Sequence, residues 1–434
     1  MKRPVVIGLL VSALVLVCAG IGTVIYFAND FNINNPFDLQ HIPSVLEESK
    51  TLEIDTKEPV VLTVNTDAGD VIVTGGDVDT VQVEIVKTAY DASQARADEK
   101  VKTIKYTIEQ NGNSIVLNYE SPKSVNFNNQ SSTVDFILIV PNDAIANVET
   151  NSGEVQVAGL NGNVDINSGF GDIKVADIEG MVTVDSNSGQ IDLSSINAGA
   201  GDIAVSTDFG KLSLEQVKSK NITIASNSGA LSLNNVRVTG ELFAKSDFGD
   251  IEFENGSAEK IKLETNSGKV KITKVNIRSQ LMIASGFGDI ELIQAIANDY
   301  DLHTNSGAII IDGVKGKLKA YTGFGDIEIK NAEMVILDLK TNSGAVNFSG
   351  SLGEGAHNVI SDFGSIDLAL PSDSKLNVNL TTDFGKINSD IPVTVTLNED
   401  SNSSDGKVVG VINGGGAELT VHANSGSITI TAIK

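Results

Sequence analysis

Residues 171–189 read GDIKVADIEGMVTVDSNSG, and this stretch decides the fold. Gly171-Asp172-Ile173-Lys174-Val175 opens a short strand that puts Ile173 and Val175 on one face. A turn through Glu179-Gly180 leads into a second short strand, Met181-Val182-Thr183-Val184-Asp185, and Asn187-Ser188-Gly189 makes the next corner. Two apolar positions per strand cannot enclose a core alone. Stacked on identical neighbours about 4.8 Å away, they form continuous interior columns while the backbone pairs between coils.

The glycine that stands two positions before an Ile, Val or Leu recurs along the chain. It occurs at Gly153, Gly171, Gly189, Gly210, Gly229, Gly249, Gly268, Gly288, Gly307, Gly325, Gly344, Gly364, Gly385, Gly406 and Gly426. The mean step is about 19.5 residues, and every step lies between 18 and 21. Asp67-Ala68-Gly69-Asp70-Val71 is an earlier copy. Glycine is expected here for the positive φ of tight corners. The pattern predicts an all-β, single-stranded parallel β-helix with about 19–20 residues per coil.

Two corner types largely alternate. Asn-Ser-Gly stands at 151–153, 187–189, 227–229, 266–268, 305–307, 342–344 and 424–426. Phe-Gly follows Gly or Asp at Phe170, Phe209, Phe248, Phe287, Phe324, Phe363 and Phe384. A coil of about 20 residues would put Phe and Ser alternately in one corner column, large over small. A coil of about 39 would give each type its own column. The shorter coil is preferred, since two short strands and two corners suffice to close it.

The segment Val5–Ala28 is uncharged and apolar, follows Lys2 and Arg3, and ends at Asn29 and Asp30. It is long enough to cross a bilayer's hydrocarbon core, and the basic flank places the short N-terminal side in the cytoplasm. Residues 1–30 are therefore expected to be a cytoplasmic stub and a transmembrane anchor in the cell membrane, with the bulk of the chain extracytoplasmic. A cleaved signal peptide and lipidation at Cys18 are the rival readings. A spacer over 31–50 follows, then the first part of the solenoid over 51–150. There, a helix is expected over Asp91 to Val101 with Asp91 as N-cap, and Asn111-Gly112 is a hairpin turn. The repeat solenoid occupies 151–434.

The chain has 434 residues and a net charge of −25, which argues against nucleic acid as a partner. Its one cysteine excludes an intramolecular disulfide framework and a cysteine-based metal site. Several stretches together resemble the bacterial DUF4097 family: Asp67-Ala68-Gly69-Asp70-Val71-Ile72-Val73, Phe136-Ile137-Leu138-Ile139-Val140-Pro141, the alternating corners, and Asn424-Ser425-Gly426-Ser427-Ile428-Thr429-Ile430. The resemblance covers roughly residues 50–434. It implies a β-helical extracytoplasmic domain of adhesin-like role, often behind one transmembrane helix, and supplies no catalytic residues.

Asp172, Asp250, Asp289 and Asp326 recur after Phe-Gly, and a column of carboxylates could attract Ca²⁺. Glu154, Gln190, Ala230, Lys269, Ala308 and Ala345 break that column, so these aspartates are expected to be structural corner residues. His41, His303, His357 and His422 share no metal-binding spacing. Units of 18 to 21 residues leave no room for the long loops that build a hydrolase cleft on a β-helix, so no enzyme and no cofactor are expected. The expected function is a membrane-anchored surface rod of adhesive or structural role, contacting protein or glycan partners through its long faces. An accessory role in envelope-stress signalling and a carbohydrate-active enzyme are the alternatives.

Overall fold

The computed structural model describes residues 42–121, 132–395 and 406–433. The segment Val5–Ala28 and Cys18 lie outside these residues. Among the described residues no helix is long and apolar enough to cross a membrane. All strands belong to one continuous hydrogen-bonded sheet that winds as a parallel β-solenoid.

The repeat behaves as a coil of the shorter length. Strand Val164–Phe170 pairs in parallel with Val182–Ser188, its neighbour one repeat later, and places Phe170 opposite Ser188. Eleven turns in chain order carry the corner from Gly153 to Gly364. Along each long strand alternate residues point inward: Val182, Val184 and Ser186 are buried, while Thr183 and Asp185 face solvent. Val164, Val182, Ile203 and Ile222 stack into one interior column. Each such buried side chain contributes on the order of 1.5–3 kcal/mol, and only the stacking of successive coils makes the burial complete.

The coil has three strands in places where two were expected. After Ile203–Phe209 and Leu212–Glu215 comes a two-residue strand, Lys218–Ser219, which pairs with Arg237–Val238 of the next coil. Its inward neighbours Val217 and Ser219 are buried and line the third side. A residue in left-handed conformation redirects the chain between the second and third strands: Ser195, Gln216, Asn235, Asn255, Lys274, Gln294 and Asn331 all have φ between 53° and 56°. Lysine and glutamine carry no sequence signal for that conformation, which costs roughly 1–2 kcal/mol. Packing of the third side overrides it.

Both ends break the chain order. β1 (Ile42–Glu53), β2 (Val61–Thr66), β3 (Val71–Gly76) and β4 (Thr80–Asp91) come first. Helix α1 (Gln94–Thr103) follows, then β5 (Thr107–Asn111), β6 (Ser114–Tyr119), β7 (Thr133–Pro141), β8 (Ile145–Ser152) and β9 (Val155–Ala158). The coil made by β2 and β3 lies between β6 and β7 on one side and β8 and β9 on the other. Beyond it β4 runs antiparallel on β7, β1 antiparallel on β4, and β5 antiparallel on β6. The spacer expected over 31–50 is thus strand from Ile42 onward. The helix begins three residues later than expected, with Ser93 rather than Asp91 at its N-cap, and buries Ala97 and Val101. Lys87, almost fully buried, is paired with Glu48, which also accepts the Tyr106 hydroxyl at 2.6 Å.

The C-terminal end mirrors this. Strands Ala417–Ser425 and Ile428–Ile433 insert between the coil Ala356–Pro371 and the coil that holds Leu376–Phe384 and Ile387–Ser389. Lys407–Ile412 runs antiparallel on Leu376–Phe384, and Val393–Val395 antiparallel on it in turn. Gly406 belongs to this excursion and not to the coil corners. A Cβ there would meet the Thr382 carbonyl oxygen rather than a glycine.

Candidate interaction surface

The corner column explains its own composition. A Cβ placed on Gly171 would stand 2.0 Å from the carbonyl oxygen of Gly153, and one on Gly189 2.0 Å from that of Gly171. The same close approach continues through Gly210, Gly229, Gly249, Gly268, Gly288, Gly307, Gly325, Gly344 and Gly364, then Gly426 and finally Gly385. Positive φ, the reason expected from the sequence, holds at Gly171 (φ 134°), whereas most ladder glycines from Gly229 onward lie outside that range. What all of them share is a backbone stacked against glycine in the layer before.

One position further inside, three residues before each glycine, stands a buried hydroxyl. Thr265 donates to the Gly249 carbonyl at 3.3 Å, Thr304 to Gly288 at 3.0 Å and Thr322 to Gly307 at 2.8 Å. A Ser or Thr stands at that position in nearly every unit, with Ala423 the exception, but the hydroxyls of Thr150, Ser168, Thr207 and Ser226 find no partner, so the clamp belongs to the later coils.

The four aspartates are placed by the same layering. Asp172 accepts the Gln190 amide, Asp250 that of Lys269, Asp289 that of Ala308 and Asp326 that of Ala345, at 2.7–2.9 Å. Each ties its coil to the next. They are two or more layers apart, about 10 Å at the closest, and the described residues contain no group of three or more His, Cys, Asp or Glu that could hold a metal.

The ladder starts at Asp135, which accepts the Asp70 amide, while Asp70 accepts that of Glu154. Burial pushes the Asp135 carboxyl up to about 6. The native state therefore holds this proton more tightly than the unfolded chain, and ionisation costs on the order of 3 kcal/mol above that value. Asp135→Asn is expected to be more stable than wild type at pH 7.5, with the gap closing between pH 6 and 4 in urea midpoints.

His41 lies outside the described residues, and the other three histidines stay apart. His303 stacks on Tyr321 with ring centroids 4.8 Å apart and lies 3.2 Å from the Asn305 amide oxygen. His422 sits on the long strand face between Ile360 and Thr381. His357 is buried, accepting the Leu337 amide at Nδ1 and donating from Nε2 to the Gly353 carbonyl. Burial holds its imidazole neutral, below the usual histidine range. That stability is present above about pH 6.5 and lost as the pH falls through the lowered value, where the unfolded chain already binds the proton. An NMR titration is expected to show His357 protonating below the usual histidine range, together with a loss of stability.

Phe170, Phe209, Phe248, Phe287, Phe324, Phe363 and Phe384 share the corner column with serines, as the short coil requires, but they point outward. They are 58–76% exposed. The alternation is strict in space: Ser152, Phe170, Ser188, Phe209 and Ser228 succeed one another across the layers, and so on to the end. In the sequence Phe363 and Phe384 follow each other without an intervening Asn-Ser-Gly corner. The inserted C-terminal coil puts Ser425 between them and restores the order. Each serine layer also carries the preceding asparagine, as at Asn187, Asn227, Asn266 and Asn305, whereas phenylalanine layers carry Gly or Asp there. Asn227 donates to Asp208 at 2.6 Å and Asn266 to Asp247 at 3.3 Å. A shallow polar groove of about 270 Å³ flanks the ridge, lined in part by Lys245, Asp247, Glu264, Asn266, His303 and Asn305. It is too open and too small for an enclosed small-molecule site.

The model of the family Toastrack DUF4097 matches residues 195–286 and 278–431, more than half of the chain. No curated protein matches. Among solved structures, the chain is similar to a candidate cell adhesion protein from Clostridium sporogenes, at 9% identity and TM-score 0.19, covering 90% of this chain and 100% of that one. It is also similar to a candidate adhesin from Bacteroides fragilis, at 14% identity and TM-score 0.30, with 65% and 97% covered. A candidate lipid binding protein from Parabacteroides distasonis matches at 14% identity and TM-score 0.27, with 61% and 94% covered.

Proposed function

The chain belongs to the Toastrack DUF4097 family, and from its surface we propose that it is an adhesin-like binding rod, engaging an extended protein or glycan partner along its length. The observation that carries this reading is the ridge of seven exposed phenylalanines. A protein without a partner gains nothing by holding large apolar side chains in water at regular intervals, and a long row of exposed rings on one edge points to an interaction surface. No single ring binds strongly. Affinity comes from weak contacts summed along the rod. The Val5–Ala28 segment would tether the rod to the membrane with its body outside the cytoplasm, where such partners are found.

Replacing all seven phenylalanines by serine is expected to lower partner binding at least about tenfold, because the contacts add along the rod. Each replaced ring is mostly solvated, so folding stability should change little. A pulldown with surface proteins and a glycan array, using the full chain with and without Ca²⁺, tests this. Equal binding by wild type and the serine variant would remove the ridge as the site. Chelation is expected to have no effect, since each of Asp172, Asp250, Asp289 and Asp326 is engaged by a backbone amide.

A further inference from the structure

We infer that the ridge is a track for a neutral, extended β-1,4-linked glycan; the inference rests on the binding-rod reading and names its partner. Three observations converge on this class. Layers of a parallel solenoid are about 4.8 Å apart, so phenylalanines in alternate layers recur about every 9.6 Å. A β-1,4-linked hexose chain in its two-fold extended form advances two sugars in close to that distance and offers the same ring face on every second sugar. Each phenylalanine would then lie against the C–H face of one sugar, and the sugar between would meet a serine layer.

The second observation is the chemistry of those intervening layers. Ser188, Ser228, Ser267 and Ser306 are each preceded by an asparagine, so an amide and a hydroxyl stand wherever the ring is missing. These groups donate to and accept from sugar hydroxyls, and the double alternation matches a chain whose successive residues are flipped. The third observation is charge. The ridge and the row just before it hold Phe, Ser, Asn, Gly and Asp and no Lys or Arg, and on a chain of net charge −25 the lysines beyond them, Lys211, Lys245, Lys269 and Lys386, are spread over separate layers. Anionic polysaccharides and polyphosphates are repelled. A second copy of the chain is disfavoured for the same reason, because it would set Asp208, Asp247, Asp362 and Asp383 against their own equivalents.

The spatial order at the C-terminal end strengthens the case. If the alternation merely echoed a sequence repeat, Phe363 and Phe384 would occupy adjacent layers. The inserted strand that carries Ser425 keeps the two-layer spacing to the end of the ridge.

The test is co-sedimentation of the full chain with insoluble β-1,4-linked glycans, chitin and cellulose, beside a β-1,3-linked glucan and amylose. Wild type is expected to be retained on one or both β-1,4-linked polymers and not on the other two. Retention should persist in high salt, where contacts between charges are screened. A Phe248→Ala, Phe287→Ala, Phe324→Ala variant is expected to lose at least about tenfold in affinity, whereas tyrosine at the same three positions keeps it. Circular dichroism confirms that each variant is folded. Retention on amylose or the β-1,3-linked glucan as strong as on chitin and cellulose overturns the inference, as does retention indifferent to the alanine variant. If no glycan is retained but the alanine variant loses a protein partner found by pulldown, the glycan assignment fails and the binding-rod reading stands. If sedimentation velocity shows a dimer that the alanine variant abolishes, the ridge is a self-interface and both fail.

Discussion

Gly268→Ala is expected to abolish the ordered solenoid around its coil, lowering stability by more than about 4 kcal/mol. The added Cβ would stand 2.1 Å from the Gly249 carbonyl oxygen and 3.0 Å from the Asp250 amide nitrogen. Neither atom can yield, since both belong to backbone held in register on each side. Moving the corner away by the required distance would lengthen the pairing of Val270–Thr273 with its neighbours and lift Val270 and Ile272 out of their columns. Gly112→Ala is the control. Gly112 has φ 59° with nothing within 4 Å of a built Cβ, so the substitution should cost only about 1 kcal/mol of backbone strain. Urea unfolding followed by circular dichroism should separate the two. Similar costs would show that the ladder glycines serve conformation and not close approach.

A chain ending at Gly416 is expected to be less ordered at its C-terminal end than a chain cut much shorter, at Pro371. The first truncation removes Ala417–Ser425 and Ile428–Ile433, which lie between two other coils. Leu376–Phe384 then loses its parallel partner and Ile387–Ser389 its only one, and the buried Leu419, Val421, Ile428 and Ile430 disappear from the columns. The second truncation stops at the end of a complete coil, Ala356–Pro371, whose other neighbours remain. Limited proteolysis should trim the Gly416 chain rapidly back to near residue 371 and leave the shorter chain intact. Survival of residues 376–389 in the Gly416 chain would contradict the insertion.

How much of this could be read in advance follows from where each signal lies. The period of the glycines, the short coil and the Phe–Ser column were legible, because each repeats along the chain at a fixed offset. The third strand was not, since Lys218-Ser219 and Arg237-Val238 are too short to show a period of two. The swapped order of the last coils leaves only one trace, the missing Asn-Ser-Gly between Phe363 and Phe384, which makes sense only once layers are stacked. The outward direction of the phenylalanines was not legible, because an apolar ring is normally a core residue. In this column the interior place is already taken by the hydroxyls of Ser168, Thr207 and Ser246. The reason for the glycines was visible only in three dimensions, because the atom that excludes a side chain belongs to another coil.

The antiparallel strands at the two ends bear on more than stability. Parallel coils stacked in register are also the geometry of cross-β fibrils, and an open solenoid end would template the addition of another molecule. Here β1 and β5 close one end with reversed polarity. At the other, Val393–Val395 and Lys407–Ile412 cover one face, and the remaining edge is the three-residue strand Ile387–Ser389. Among the described residues a second molecule finds no long edge that continues the parallel coils, which works against end-to-end polymerisation of the repeat.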